Sequence, residues 1–157
     1  MNRVISSLAA AAIVMAAPWG AAWAADHQVQ MLNKDSEGRP MQFEPAFLKV
    51  APGDTVTFML VDKMHNSESC AGAIPEGAEP WKGKINEQIT VTFNQEGLYA
   101  YKCQPHLALG MVGLIQVGES TANLDAVTAA KGMPGKAKTR MAELVAEATG
   151  GAAAPAN

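Results

Sequence analysis

Residues 98–117 read LYAYKCQPHLALGMVGLIQV, two apolar strand-like runs on either side of a loop that starts at Cys103 and ends at Met111. The loop contains a thiol, the imidazole of His106 and a thioether in the spacing Cys-x-x-His-x-x-x-x-Met. Taken singly, a buried cysteine or methionine usually serves only as a hydrophobic residue. Their joint spacing between two strands instead indicates a metal site carried by β structure.

A second histidine, His65, lies far upstream, just after a strand-like run that ends at Val61. Two imidazoles and one thiolate, with a weak thioether on the axis, form the trigonal site that suits electron-transfer copper. Soft sulfur ligands favour Cu(I), and imidazoles also hold Cu(II), so one site serves both oxidation states. We therefore predict a copper site at which the ligands are His65, Cys103, His106 and Met111.

Three other interpretations remain open from the residues alone. In an oxidising compartment, Cys70 and Cys103 favour a disulfide, which would leave a metal-free binding module in which His65, His106 and Met111 have no joint purpose. A structural zinc site would leave the thioether idle, because thioether is a poor zinc ligand. Copper storage or delivery is the third, although such sites are generally more exposed and richer in Met or Cys.

The composition fits one domain with appendages. The chain has 157 residues, of which 48% are hydrophobic and 17% charged, which excludes a polytopic membrane protein and a disordered chain. A net charge of -3 argues against a nucleic-acid binder, which is usually strongly basic on at least one face.

Residues 1–24 have the pattern of a secretory signal peptide. Arg3 is their only charge, the run from Val4 to Ala17 is apolar, and Ala22-Trp23-Ala24 offers the small-x-small pattern of a cleavage site. We predict cleavage after Ala24, export to the periplasm and no membrane anchor afterwards. Loss of Arg3 leaves 11 basic and 15 acidic residues, a net charge of -4.

Alternation of apolar and polar residues predicts an all-β body at 25–118, with each sheet exposing one face to water. After Gly118, Ser120 is expected to cap a helix that starts near Thr121, and a second helix is expected from Lys136. Helices this short must dock on the body, so 119–149 is predicted to pack there and 150–157 to be a disordered tail. The predicted strands are 29–31, 47–50, 55–61, 89–93, 98–101 and 112–117.

Nearly all of the chain after residue 24 resembles the cupredoxins, the type 1 blue copper proteins. The resemblance implies an all-β Greek-key sandwich of about eight strands with two C-terminal α-helices, one copper ion and no enzymatic activity. The helices distinguish the chain from members of the family that end at the last strand. The segments that carry the resemblance include Met31-Leu32-Asn33-Lys34, Phe43-Glu44-Pro45-Ala46, Pro52-Gly53-Asp54-Thr55, His65-Asn66, Ile74-Pro75-Glu76-Gly77 and Ala122-Asn123-Leu124-Asp125.

The resemblance also implies roles around the metal. His106 would reach the surface and pass the electron. Asn66 would tie the two ligand loops together and donate a hydrogen bond to the Cys103 thiolate. Phe43 and Pro105 would lie beside the site. Two residues depart from the family: Met64 replaces a small residue, and Cys70 replaces an aliphatic one.

A docking face is expected around His106. The apolar loop from Leu107 to Val112 predicts a patch for brief contact with a partner. The resemblance implies redox partners such as nitrite reductase or c-type cytochromes, and a monomer. It also implies a ring of lysines that would steer an acidic partner: Lys34, Lys63, Lys82, Lys84 and Lys102.

Overall fold

Alternating β-branched and aromatic residues become strands along most of the chain. The computed structural model describes residues 24–151, so the predicted leader apart from Ala24, and the tail beyond residue 151, lie outside the described residues. The described part contains β1 Asp26–Lys34, β2 Pro40–Glu44, β3 Phe47–Val50, β4 Thr55–Leu60, β5 Glu68–Ser69, β6 Ile89–Thr92, β7 Gly97–Lys102 and β8 Val112–Val117. Two helices follow, α1 Leu124–Thr128 and α2 Gly135–Ala148.

The strands form two four-stranded sheets, in the orders β2-β1-β4-β6 and β3-β8-β7-β5. Two pairs are parallel, β1 with β4 and β3 with β8, and the remaining neighbours are antiparallel. Strands that are consecutive in sequence therefore often belong to different sheets. The predicted sandwich with two C-terminal helices is confirmed.

An aromatic cluster fills the space between the sheets. Val56 and Phe58 alternate inward along β4 and are fully buried. The Phe58 ring stacks on Trp81 at 5.8 Å, and Phe43 meets Tyr101 edge-on at 4.7 Å. Burial of each large apolar side chain contributes about 1.5–3 kcal/mol, so this cluster stabilises the packing of one sheet on the other.

The prediction that every sheet exposes one face to water is wrong for β7 and β8. All six residues of β8 are buried, as are five of the six in β7. The reason is a second core on the outer face of their sheet, where α2 covers residues that would otherwise meet solvent. This outer core includes Leu98, Ala100, Val112 and Leu114 from the sheet and Ala137, Met141 and Leu144 from α2.

The predicted start of the first helix is also wrong. The helix begins at Leu124, and Ser120 accepts only a long turn bond from the Ala122 N–H at 3.4 Å. The side chain of the preceding residue, Asn123, hydrogen-bonds to β7 and so does not cap the helix. Its amide donates to the Leu98 carbonyl at 2.7 Å and accepts the Leu98 N–H at 2.9 Å. Within residues 24–151, no helix has the length and apolar character that crossing a membrane requires.

Candidate metal centre

Neighbouring strands bring the predicted ligands together. Cys103 directly follows β7 and Met111 directly precedes β8, so the antiparallel pairing of these strands sets the two residues side by side. The Cys103 N–H donates to the Met111 carbonyl at 3.0 Å. His106 lies in the loop between them, and His65 comes from the loop between β4 and β5.

Three donor atoms converge although one of them comes from a distant part of the chain. The Cys103 Sγ atom lies 3.6 Å from the Nδ1 atoms of both His65 and His106, and the two Nδ1 atoms are 3.1 Å apart. Ligands about 2.0–2.3 Å from a shared ion, with angles of about 100–120° between them, would stand about 3.1–3.8 Å apart. The spacing and the N,N,S donor set therefore fit a trigonally bound copper ion.

The site is closed on all sides but one. His65, Cys103 and Met111 have no solvent exposure, whereas His106 is half-buried. Burial raises the pKa of the Cys103 thiol, and the backbone N–H groups of Asn66 and His106 oppose that rise only in part. A thiol in this position loses its proton readily only when a cation takes the proton's place.

The orientation of the buried His65 ring is set from behind by Asn33. The His65 Nε2 atom lies 3.1 Å from Asn33 Oδ1, an acceptor, so Nε2 carries the proton and Nδ1 presents its lone pair to the site. Desolvation and the neighbouring His106 lower the pKa of His65, which also favours the neutral ring. Asn33 is itself fixed, because its N–H donates to Asp62 Oδ2 at 2.7 Å.

Asn66 joins the two ligand loops as predicted. Its Oδ1 accepts the N–H of Gln104, 38 residues away, at 2.8 Å. Its Nδ2 donates instead to Glu68 Oε2 at 3.2 Å and to the Gly83 carbonyl at 3.0 Å. Asn66 also donates to the Cys103 sulfur, as predicted, but it does so through its backbone N–H and not through its side chain.

The two cysteines are not bonded to each other, so the disulfide alternative is wrong. Cys70 packs in the outer core and Cys103 in the core between the sheets. Burial raises the pKa of the Cys70 thiol to about 11, which leaves it an unreactive thiol at neutral pH.

Residues expected beside the site differ in exposure. Phe43 is buried in the aromatic cluster, whereas Pro105 is exposed in the ligand loop. Met64, next to His65, is 55% exposed and has a φ of 72°. Asn86 Oδ1 accepts the Met64 N–H and Asn86 N–H donates to the His65 carbonyl, which holds this strained turn in place.

The residues expected to form a docking face differ in their exposure. Lys34, Lys63, Lys82 and Lys84 are exposed. Lys102 is not a free surface charge, because its Nζ pairs with Glu68 at 3.3 Å and only 23% of its side chain is exposed. In the loop from Leu107 to Val112, Ala108 and Leu109 are exposed and the last three residues are buried, so the apolar patch on this loop is smaller than predicted.

Comparison with known proteins places these observations in a family. The model for copper binding proteins of the plastocyanin/azurin family matches residues 29–118. The chain is 52% identical to a pseudoazurin from Paracoccus pantotrophus over 89% of this chain and 93% of the relative. A pseudoazurin structure from Sinorhizobium superposes with a TM-score of 0.75 at 53% identity, covering 78% of this chain and 95% of the other. The pseudoazurin of Hyphomicrobium denitrificans gives 0.73 at 44% identity, covering 78% and 97%.

Proposed function

The chain belongs to the plastocyanin/azurin family of copper-binding proteins, and from that premise we propose that it shuttles single electrons between redox proteins of the periplasm. Its relatives in that family are pseudoazurins, which are blue copper electron carriers and not enzymes. The observation that carries the proposal is the convergence of His65, Cys103 and His106, whose donor atoms all lie within 4.8 Å of one another.

We propose that four residues would hold the copper: His65 through Nδ1, Cys103 through Sγ, His106 through Nδ1 and Met111 through its thioether. When bound, the ion would supply a one-electron couple between Cu(I) and Cu(II). A copper-delivery role is disfavoured because His65, Cys103 and Met111 are fully buried, which hinders transfer of the ion to another protein.

The chain's own contribution is to keep the ligands still. The Asn33 bond fixes the ring of His65, and the Asn66–Gln104 bond fixes one ligand loop against the other. A site that moves little when the electron arrives or leaves has a small reorganisation barrier. The half-buried ring of His106 is the edge through which we propose that the electron passes.

Location and partners belong to the same proposal. The small-x-small pattern ending at Ala24 supports export with cleavage, which delivers a monomer to the periplasm. Exposed lysines support docking to acidic faces of nitrite reductase or c-type cytochromes. Lys82 and Lys84 line one cleft together with Asn66 and Gln104, the residues that follow two of the ligands, so their charge lies beside the metal centre.

Addition of copper(II) to the purified exported protein tests the assignment. We expect an intense blue colour that disappears on reduction and an EPR signal with the small copper hyperfine splitting of a copper–thiolate bond. Cys103→Ser is expected to abolish the colour, whereas the matched Cys70→Ser variant keeps it. A colourless copper protein, or equal colour in both variants, would contradict the assignment.

A further inference from the structure

One buried carboxylate anchors the start of β1. Asp54, in the turn before β4, is 5% exposed, and its Oδ1 accepts the backbone N–H of Ala25 at 2.8 Å. Its Oδ2 accepts the Ala51 N–H at 2.9 Å and lies 2.8 Å from Nε2 of His27. The carbonyl of Ala25 accepts the N–H of Thr55 at 2.9 Å, so both polar backbone groups of Ala25 are held.

This anchor lies at the first rung of a parallel strand pair. The pairing of β1 with β4 begins at Asp26 and Thr55, the residues that directly follow Ala25 and Asp54. Parallel pairs receive no help from a hairpin turn, so their ends depend on such tertiary contacts. The contact at Ala25 therefore decides whether the first residues of β1 remain on the sheet.

The position of Ala25 is also the position predicted for leader cleavage. Hydrolysis of the Ala24–Ala25 bond consumes one water: Ala24 leaves with the new carboxylate, and the nitrogen of Ala25 becomes an ammonium group. Ala24 and Ala25 are exposed residues in the folded chain. A charge-assisted bond is roughly twice as strong as a neutral one, so Asp54 would bind this ammonium more tightly than it binds the uncut amide.

We propose that Asp54 is a binding site for the mature N-terminus, and that cleavage after Ala24 closes an ion pair between the Ala25 ammonium and Asp54 that fixes β1 to β4. This inference rests on the export that forms part of the proposed function. A cut one residue earlier or later moves the amine by about 3.3–3.8 Å along an extended chain, beyond hydrogen-bond distance of Asp54. Only a chain that starts at Ala25 therefore places its amine within hydrogen-bond distance of Asp54.

The charge balance around Asp54 supports the pairing. The Ala25 N–H, then the His27 side chain and the Ala51 N–H, lower the pKa of Asp54 to about 2. The carboxylate is therefore ionised at any pH at which the protein is exported, and an ammonium beside it is stabilised.

The test begins with the exported, copper-loaded protein. Intact-mass analysis is expected to show a chain starting at Ala25. The protein, labelled with ¹⁵N-alanine and reduced to diamagnetic Cu(I), is then titrated by NMR to obtain the pKa of the Ala25 amine. We expect the pKa of the Ala25 amine to be about one above the usual 7.7–8.0, which corresponds to about tenfold tighter proton binding. In Asp54→Asn this pKa should return to the usual range.

Two controls separate the ion pair from other effects. Asp26→Asn removes a neighbouring carboxylate that bonds to Thr55 Oγ1 instead, so the Ala25 pKa should remain elevated. A mature chain that retains Ala24 carries its amine one residue away from Asp54 and should titrate in the usual range. This second control also tests the pairing should Asp54→Asn fail to fold.

The outcomes distinguish the inference from the function on which it rests. A chain that starts elsewhere than Ala25 overturns the inference, and a cytoplasmic chain with its leader intact overturns the proposed export as well. If the chain starts at Ala25 but the pKa of its amine is ordinary, the ion pair is overturned and the proposed export is not. The same holds if Asp54→Asn and Asp26→Asn lower that pKa equally. Blue colour is expected in every variant, since none of these residues binds copper.

Discussion

Asn66 shows how one side chain can support two loops. Its side chain makes three hydrogen bonds in a buried setting: one to the N–H of Gln104, one to Glu68 and one to the Gly83 carbonyl. Asn66→Ala would leave these groups unpaired where water has little access. A loss of about 1–3 kcal/mol in the free energy of unfolding is expected, because unsatisfied buried polar groups cost that much.

Chemical denaturation of the copper-loaded variant measures that loss. Asn94→Ala, at an exposed position, serves as the matched control and should change the free energy of unfolding by less than about 0.5 kcal/mol. Equal losses in the two variants would show that the loop tie contributes nothing.

Met64 carries a conformational cost next to a ligand. Its φ of 72° is in the left-handed region, which costs a non-glycine residue about 1–2 kcal/mol. Met64→Gly is therefore expected to raise the free energy of unfolding by about 0.5–1 kcal/mol, after subtraction of glycine's greater chain entropy. Met64→Ala keeps the Cβ atom and should show no gain; a gain as large as glycine's would mean that the exposed side chain, not the backbone, is the source.

The ligand set and the supporting residues differ in how far they can be predicted from the sequence. Cys103, His106 and Met111 share one loop, so their spacing is visible, and His65 is recognisable from its residue type and its place after a strand. The role of Asn33 could not be predicted in this way. Asn33 contacts His65 because β1 pairs in parallel with β4, the strand that leads to His65. The sequence likewise does not show which group of Asn66 donates to Cys103, since backbone N–H groups leave no pattern in the residue types.

At the scale of elements, α2 is needed to complete the sandwich. Leu144 is 1% exposed and packs in the outer core over β8. Leu144→Ala is expected to lower the free energy of unfolding by about 2–4 kcal/mol, from lost burial and the cavity that remains. Thermal or denaturant unfolding provides the measurement. The exposed Glu147→Ala on the same helix should have little effect, and a loss of similar size there would show that the effect does not depend on burial.

The junction of β1 and β4 gives the protein a defined response to acid. The pKa of Asp54 is about 2 in the folded protein, below the ordinary value of about 3.9, so its carboxylate stabilises the fold above pH 4. That contribution is about 1–2 kcal/mol after allowance for nearby solvent, and it is lost as the pH falls from about 4 to 2.

Asp54→Asn isolates this contribution. The difference in unfolding free energy between the native chain and the variant should shrink as the pH falls below about 5 and approach zero below pH 2. Denaturant titrations at several pH values measure it, and a difference that does not change with pH would contradict the assignment.

Element boundaries are less predictable than element types here. The two helices and most strands follow from hydrophobic spacing, yet α1 begins late because the side chain of Asn123 is used on β7 rather than to cap a helix. The two-residue β5 has no periodicity of its own and exists through its pairing with β7. The full burial of β8 likewise depends on a helix that comes later in the chain.

For the whole molecule, electrostatic steering is expected to set the rate of electron exchange. Lys63 is exposed two residues before His65, and Lys63→Glu should slow association with an acidic redox partner about tenfold or more at low ionic strength. The difference should fade in strong salt, because charges are then screened beyond a few ångströms. Stopped-flow reduction of nitrite reductase or a c-type cytochrome measures it.

The control for that experiment makes the same charge reversal at a position outside the expected docking face. Lys131→Glu, exposed between α1 and α2, changes the net charge by the same amount. If both variants slow association equally, net charge and not a docking face controls the rate.

The single half-exposed ligand, His106, has a kinetic consequence. Because His65, Cys103 and Met111 are fully buried, the ring of His106 is the proposed route both for receiving an electron and for donating it. Under the proposed function, a donor and an acceptor are therefore expected to use the same face in turn. We therefore expect each partner to inhibit the other competitively. Each transfer would require the protein to dissociate from one partner, diffuse and bind the other.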